Sequence, residues 1–435
     1  MLLKLLAWTF AITGTGVAPA VAAAQPPAEA AAPASAALRE RAEQLVKLLR
    51  GEGDPAALFT PDFLAQVPPA QVAAVTQQLI AANGQPQRVA TVEPSGFGRG
   101  VIRVEFERAV VTMSMAVEGA APYRVGQLLV TGTEPRGGDS AAAIVEELKA
   151  LPGQVSFSLA RLDEGGPVSL AAHDPRRPLA IGSTFKLIVL AELSRQVQAR
   201  QRRWSDVVPI DRHSLPSGLL QDWPLGSPAT VHTLAALMIS RSDNTATDVL
   251  LRLAGRENVE RMMERIGMAS AARNRPFLST IELFQLKADT ADFRARWAAA
   301  NEAARRRLLR ERYESGAAPV ELGGFGSAPA AIDTIEWFAS ADDLVRVMDW
   351  LRRNGDATAH SIMAISPGVG RDVAGQFGYV GFKGGSEPGV INLSYLLRSN
   401  AGRWHVVTGS WNNPAAAVDE AHFVGLISRA LRLAR

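Results

Sequence analysis

A chain of 435 residues with 47% hydrophobic content can bury a sizeable core and is too long for one small domain, so two folded units are expected. Its formal net charge is only +3, with Arg and Lys scattered among Asp and Glu, which leaves no basic stripe to suit a nucleic-acid surface. The absence of cysteine excludes disulfides, thiolate metal sites and a Cys nucleophile.

Residues 1–24 read as a secretory signal peptide. Lys4 gives a small positive start, Leu5 to Val17 is mostly apolar, and Ala20-Val21-Ala22 or Ala22-Ala23-Ala24 offers a small-residue cleavage site. Thr9, Thr13, Gly14, Thr15 and Gly16 interrupt an apolar run already short of the roughly 20 residues that a span requires, which argues against a retained anchor. The expectation is a periplasmic or secreted protein with no stable membrane insertion after cleavage. Residues 25–34 are almost wholly Ala and Pro and read as an extended linker, with folding beginning near Ser35.

From Ser35, Leu38, Ala42, Leu45 and Leu49 recur at helical spacing until Gly51 and Gly53, and a second helix is expected over Pro69 to Ala82. The period then becomes two. Val111, Met113, Met115 and Val117 alternate with small or polar neighbours, and Val101 to Phe106 and Tyr123 to Val130 read similarly. Residues 35–133 are therefore expected to form a small α+β domain, helices on a curved antiparallel sheet, with a layout that resembles the ketosteroid-isomerase-like cone. A ligand pocket, a docking surface and a plain scaffold are all compatible with it.

Thr131 to Ser140, with Pro135, Gly137 and Gly138, reads as the boundary, and the second unit runs from Ser140 to Arg435. It opens with a helix over Ser140 to Leu151 and strands in Val155 to Ala172 around Asp163-Glu164-Gly165-Gly166-Pro167. A helical middle section follows. Strands over Gly378 to Lys383, Val390 to Arg398 and Trp404 to Trp411 and a helix over Val418 to Leu433 close the chain. Helices around one sheet built from both ends of the unit is the implied architecture. The Arg- and Ala-rich stretch Asp289 to Arg312, with Phe293, Trp297, Leu308 and Leu309 on one helical face, reads as a solvated helical insertion or a lid.

The chemistry centres on Ile181-Gly182-Ser183-Thr184-Phe185-Lys186, followed by the apolar Leu187, Ile188, Leu190, Ala191 and Leu193. An i, i+3 pair on a helix faces one way, so the Lys186 amine can approach the Ser183 hydroxyl. A serine needs an adjacent base, and a lysine serves when desolvation or a second cation lowers its pKa. A helix start adds backbone N–H groups that stabilise an oxyanion. Ser-x-x-Lys alone is expected about once by chance in a chain of this length. Here Ser242-Asp243-Asn244 and Lys383-Gly384-Gly385 follow it in order, completing a known triple.

With these motifs the second unit, residues 140–435, resembles the class A β-lactamase and penicillin-binding serine hydrolase superfamily. Leu219-Leu220-Gln221-Asp222 and the run from Leu234 through Asp248 also look like class A sequence. The resemblance implies an α/β serine β-lactamase-like transpeptidase fold, with a central antiparallel sheet flanked by helices. It implies Ser183 as nucleophile, Lys186 as its base, Ser242 as proton relay, Lys383 as the positive charge for relay and substrate carboxylate, and Asn244 as a contact to the substrate side chain. It further places the backbone N–H groups of Ser183 and Ser386 in an oxyanion hole, lets substrate backbone approach Gly384 and Gly385, and makes Asp243 structural.

Two departures stand out. Gly384 replaces a small hydroxyl residue, and no Glu-x-x-Leu-Asn element supplies the family's deacylation base. In Arg275 to Lys287, where that element is expected, Glu282 is the sole carboxylate. It reads first as a first-turn helix acid after a Ser279 or Thr280 cap, and second as a candidate deacylation base. The insertion between Thr290 and Ile332 implies an enlarged or covered pocket. A missing Glu behind a small sheet-like domain resembles the β-lactamase-like proteins of clavulanic acid gene clusters. The expected function is hydrolysis of a β-lactam through an acyl-enzyme on Ser183. The alternatives are an esterase or peptidase on another acyl substrate, and a non-catalytic sensor of β-lactams or cell-wall peptide. No cofactor is implied, and His173, His213, His232, His360, His405 and His422 occur singly without metal-ligand spacing. The oligomeric state is not legible in the sequence.

Overall fold

The computed structural model describes residues 28–96, 98–135, 139–214, 216–314 and 328–434. The expected signal peptide, residues 1–24, lies outside the described residues. The chain divides into two compact units, one through Val130 apart from Arg108–Val110, the other from Thr131 onward.

In the first unit, α1 (Ala28–Leu49) and α2 (Pro69–Asn83) precede β1 (Pro86–Gly96), β2 (Arg99–Phe106), β3 (Ala109–Val117) and β4 (Val125–Pro135), which form one sheet in sequence order. The period-two pattern of β3 appears directly as alternating burial. Leu38, Ala42, Leu45 and Leu49 of α1 join Ile102, Val104, Phe106, Met113 and Met115 in the core. One expectation needs correction. The helix begins at Ala28, inside the stretch 25–34 read as a linker, because alanine is the strongest helix former and the run continues in register into Leu38. Strand β4 runs on through Pro135, and the division between the units falls at Thr131, the start of the expected boundary stretch. Strand β1 had no counterpart in the sequence reading, since it is a largely exposed edge strand rich in polar residues.

The second unit opens with α3 (Ala141–Lys149), capped by the Ser140 side chain, and the hairpin β5 (Gln154–Asp163) and β6 (Gly166–His173). The helical section includes α4 (Lys186–Gln198), α5 (Val231–Ser240), α6 (Asn244–Ala254), α7 (Thr280–Ala288), α8 (Ala291–Ala299) and α9 (Glu302–Leu309). The chain returns to β7 (Phe377–Glu387), β8 (Val390–Ser399) and β9 (Trp404–Asn412), and closes with α10 (Glu420–Arg432). The sheet order is β7-β8-β9-β5-β6 and its ladders are antiparallel throughout, so β9 and β5 join the two ends of the unit.

Both faces of this sheet are covered, which is why β8 is buried at every position but Arg398, with its polar Asn392 and Ser394 hydrogen-bonded within the sheet. One face packs Phe157, Leu393 and Tyr395 against Ile144 of α3 and Phe423 and Ile427 of α10. The other core surrounds α4, whose Leu187, Ile188, Val189, Leu190 and Leu193 are all buried. The stretch 289–312 is two helices that place Phe293, Trp297, Leu308 and Leu309 in this core, so it is anchored and not a freely solvated insertion.

Candidate active site

Ser183 sits in a single 3-10 turn, Gly182–Phe185, that leads straight into α4. Aromatic packing fixes this turn: the Phe185 ring stacks on Trp337 with centroids 3.7 Å apart and meets Phe277 edge-on at 5.7 Å. The Ile181 N–H donates to the Trp337 carbonyl at 3.0 Å. Gly182 has φ of +47°, a left-handed value that favours glycine. Ser183 is half-buried just before a helix that is buried from Lys186 through Ser194.

The Lys186 amine is fully buried and lies 3.1 Å from Ser183 Oγ, 3.0 Å from Ser242 Oγ, 2.7 Å from the Ser242 carbonyl and 2.8 Å from Asn244 Oδ1. The carbonyl and the amide oxygen can only accept. When the amine is neutral, they take its two N–H bonds and leave its lone pair for a hydroxyl proton. Burial, then the nearby Lys383 cation, hold Lys186 well below the ordinary lysine value, against the opposing charges of Asp248 and Asp243.

Lys383 projects from β7 and donates to Ser242 Oγ at 3.2 Å and to the Gly384 carbonyl. Burial brings its pKa down to about 7. A continuous line thus runs from Ser183 Oγ through Lys186 and Ser242 Oγ to Lys383. Ser242 adopts φ of +56° between α5 and α6. Its geometry is held by Asp243, whose side chain accepts from the N–H groups of Leu219, Leu220 and Ala246.

The structure therefore gathers Ser183, Lys186, Ser242, Asn244 and Lys383 from α4, the α5–α6 junction and β7. Asn244 is buried and turns its oxygen to Lys186, so it positions the amine. Gly385 lies against the Ser183 turn. A Cβ there would lie 2.3 Å from both Ile181 O and Ser183 N, so the glycine admits the nucleophile turn itself. A Cβ on Gly182 would in turn sit 3.2 Å from Ser386 N, and the exposed Ser386 borders the same place. At Gly384 a Cβ would meet Phe382 at 2.9 Å, so the missing hydroxyl residue has little room here.

Glu282 is committed elsewhere. One carboxylate oxygen accepts from Ser279 N–H at 2.7 Å in a capping box at the start of α7, and the other pairs with Arg256 at 2.6 Å. Its placement is that of a first-turn helix acid, paired with Arg256.

Two further contacts were not legible in the sequence. Ser217 Oγ donates to the Ser242 carbonyl at 3.2 Å, and the Asn244 N–H donates to the Ser217 carbonyl at 2.8 Å. Asp248 accepts from Ser214 Oγ, Thr280 Oγ1 and the N–H groups of Thr280 and Ile281, tying α6 to the start of α7. Burial raises its pKa against these bonds. Among the described residues no group of three or more His, Asp or Glu is placed to hold a metal ion.

Residues 139–314 match the family model described as the beta-lactamase enzyme family. That match lies within the second unit, which is therefore similar to the beta-lactamase enzyme family over residues 139–314. Solved structures similar to this chain include a beta-lactamase from Sphaerobacter thermophilus DSM 20745, with 22% identity, 68% of this chain and 94% of that chain covered, and a TM-score of 0.47. Another is a beta-lactamase from Chitinophaga pinensis DSM 2588, with 16% identity, 67% and 96% covered, and a TM-score of 0.46. No curated protein matches the chain. The β-lactamase-like unit is thus one in which a serine, a buried lysine and a serine–lysine relay meet.

Proposed function

We propose that this protein is a serine hydrolase that opens a β-lactam by acylation of Ser183 and then hydrolyses the acyl-enzyme. The observation that carries the reading is the fully buried Lys186 amine, held well below the ordinary lysine value and 3.1 Å from Ser183 Oγ. Lys186 takes the hydroxyl proton as Ser183 Oγ adds to the ring carbonyl. The N–H groups of Ser183 and Ser386 face the charge that develops on the carbonyl oxygen. Ser242, held between Lys186 and Lys383, passes a proton to the departing nitrogen. Any remaining charge on Lys383 attracts the substrate carboxylate.

The pairing of Glu282 with Arg256 favours a second reading, in which the acyl-enzyme forms and persists, as in a sensor or an enzyme whose natural acyl substrate is not a β-lactam. The proposal also keeps the export reading of residues 1–24 and a periplasmic or secreted location. No described helix is long and apolar enough to cross a membrane.

The test is loss of β-lactam absorbance with a panel of penicillins and cephalosporins, comparing wild type with Ser183→Ala and Lys186→Met. Turnover by wild type that falls by about 100-fold or more in each variant supports the assignment. Turnover that survives in Ser183→Ala overturns it.

A further inference from the structure

Three distant segments meet beside the nucleophile turn. Lys287 near the end of α7 donates to Glu336 at 2.7 Å and also pairs with Glu387, the last residue of β7. Lys287 and Glu336 have almost fully buried side chains, and that of Glu387 is 15% exposed. Each member has an address at the site. Glu336 precedes Trp337, whose ring stacks on Phe185 and whose carbonyl holds Ile181, so it borders the Ser183 turn from behind. Glu387 lies on the same face of β7 as Lys383 and Gly385, because side chains alternate along a strand. Lys383 reaches Ser242 from that face, and Gly385 touches the Ser183 backbone from it. Glu387 is one strand repeat further on, roughly 7 Å along β7 from Gly385.

One cation for two buried carboxylates leaves an excess negative charge. Burial and then the Glu336 carboxylate push Glu387 well above the usual carboxylate range, against the pull of Lys287. Burial alone would lower Lys287, but Glu336 and Glu387 hold it above its ordinary value, so the amine stays charged. A purely structural pair would need only one of the two acids.

We propose that Glu387 activates the hydrolytic water in deacylation, with Lys287 and Glu336 as its positioning residues. The inference rests on the acyl-enzyme reading above. The Glu387 carboxylate takes a proton from water as the water oxygen adds to the acyl carbonyl. Collapse breaks the bond to Ser183 Oγ, the proton returns to that oxygen, and the product leaves as the acid. The charged groups facing Glu387 are Lys287 from α7 and Glu336 from the segment before Trp337. Ionised Glu387 is the working form, so deacylation rises with pH through a midpoint above the ordinary carboxylate value.

The experiment follows acyl-enzyme decay by intact mass from pH 5 to 9 in full-length wild type, Glu387→Gln and Glu336→Gln, with a thermal melt and the acylation rate as folding controls. Glu387→Gln is expected to acylate normally, to retain its adduct about 100-fold longer or more, and to lose the pH-dependent limb. Glu336→Gln removes a negative neighbour and is expected to move the midpoint to lower pH, a change that a merely structural role would not produce. An adduct that decays in Glu387→Gln at the wild-type rate with the wild-type pH profile overturns the assignment of Glu387 alone. An unshifted midpoint in a folded Glu336→Gln also overturns it. No adduct on wild type overturns the hydrolase reading first and this one with it.

Discussion

Lys383 illustrates how a single side chain couples activity to stability. Its pKa of about 7 in the folded protein lies below the ordinary 10.5. Between those values the unfolded chain binds more protons than the folded one, so this residue makes stability rise with pH across that window. Below pH 7 both states carry the proton and the full cost of burying the charge remains. Lys383→Met is therefore expected to gain stability on wild type near pH 7, and to lose that advantage as pH approaches 10.5, while acylation collapses. Denaturant midpoints for both proteins at pH 7 and pH 10 check this; an advantage that grows with pH contradicts it. At about 1.4 kcal/mol per pKa unit the effect has a ceiling of a few kcal/mol, reduced by the lost bonds to Ser242 and Gly384. Ser183, Lys186, Ser242 and Lys383 were legible because each sits in a short motif. Lys287, Glu336 and Glu387 were not, since no local pattern links residues that meet only through folding.

At the scale of elements, the site depends on how α6 is held against α7. Asp248 accepts four hydrogen bonds in a wholly buried position, three of them from Thr280 and Ile281. Asp248→Ala leaves these donors without partners, and each unsatisfied buried group costs about 1–3 kcal/mol. A loss of about 3 kcal/mol or more in urea unfolding is expected; a change under about 1 kcal/mol would show that the α6–α7 junction does not hold the site. The elements that bury an apolar face, such as α1, β3 and α10, were legible from periodicity. Strand β1 was not, because an exposed edge leaves no alternation to read. The alanine-rich start of α1 was misread because composition resembled a linker while propensity favoured helix. Helices α8 and α9 show the converse: their arginines suggested solvent, yet the four large apolar side chains between them decide where they lie.

Across the whole molecule, the sheet of the second unit joins its beginning to its end. β5 lies in the first part of the unit and β7 in the last, and they stand in one sheet with β8 and β9 between them. That topology brings Ser183, early in the unit, beside Gly385 and Ser386, late in it. The overall class was legible because the central strands are apolar and the motif order fixes which segments must meet. The packing of the nucleophile turn on Trp337 was not, since it needs a contact across a long insertion.

The most direct measurement is peptide mapping of the full-length protein after a brief exposure to a penicillin, quenched in acid and digested. The account predicts an adduct of the full penicillin mass on the peptide that carries Ser183, absent in Ser183→Ala. An adduct on another residue, or none at any time with any β-lactam, would contradict it.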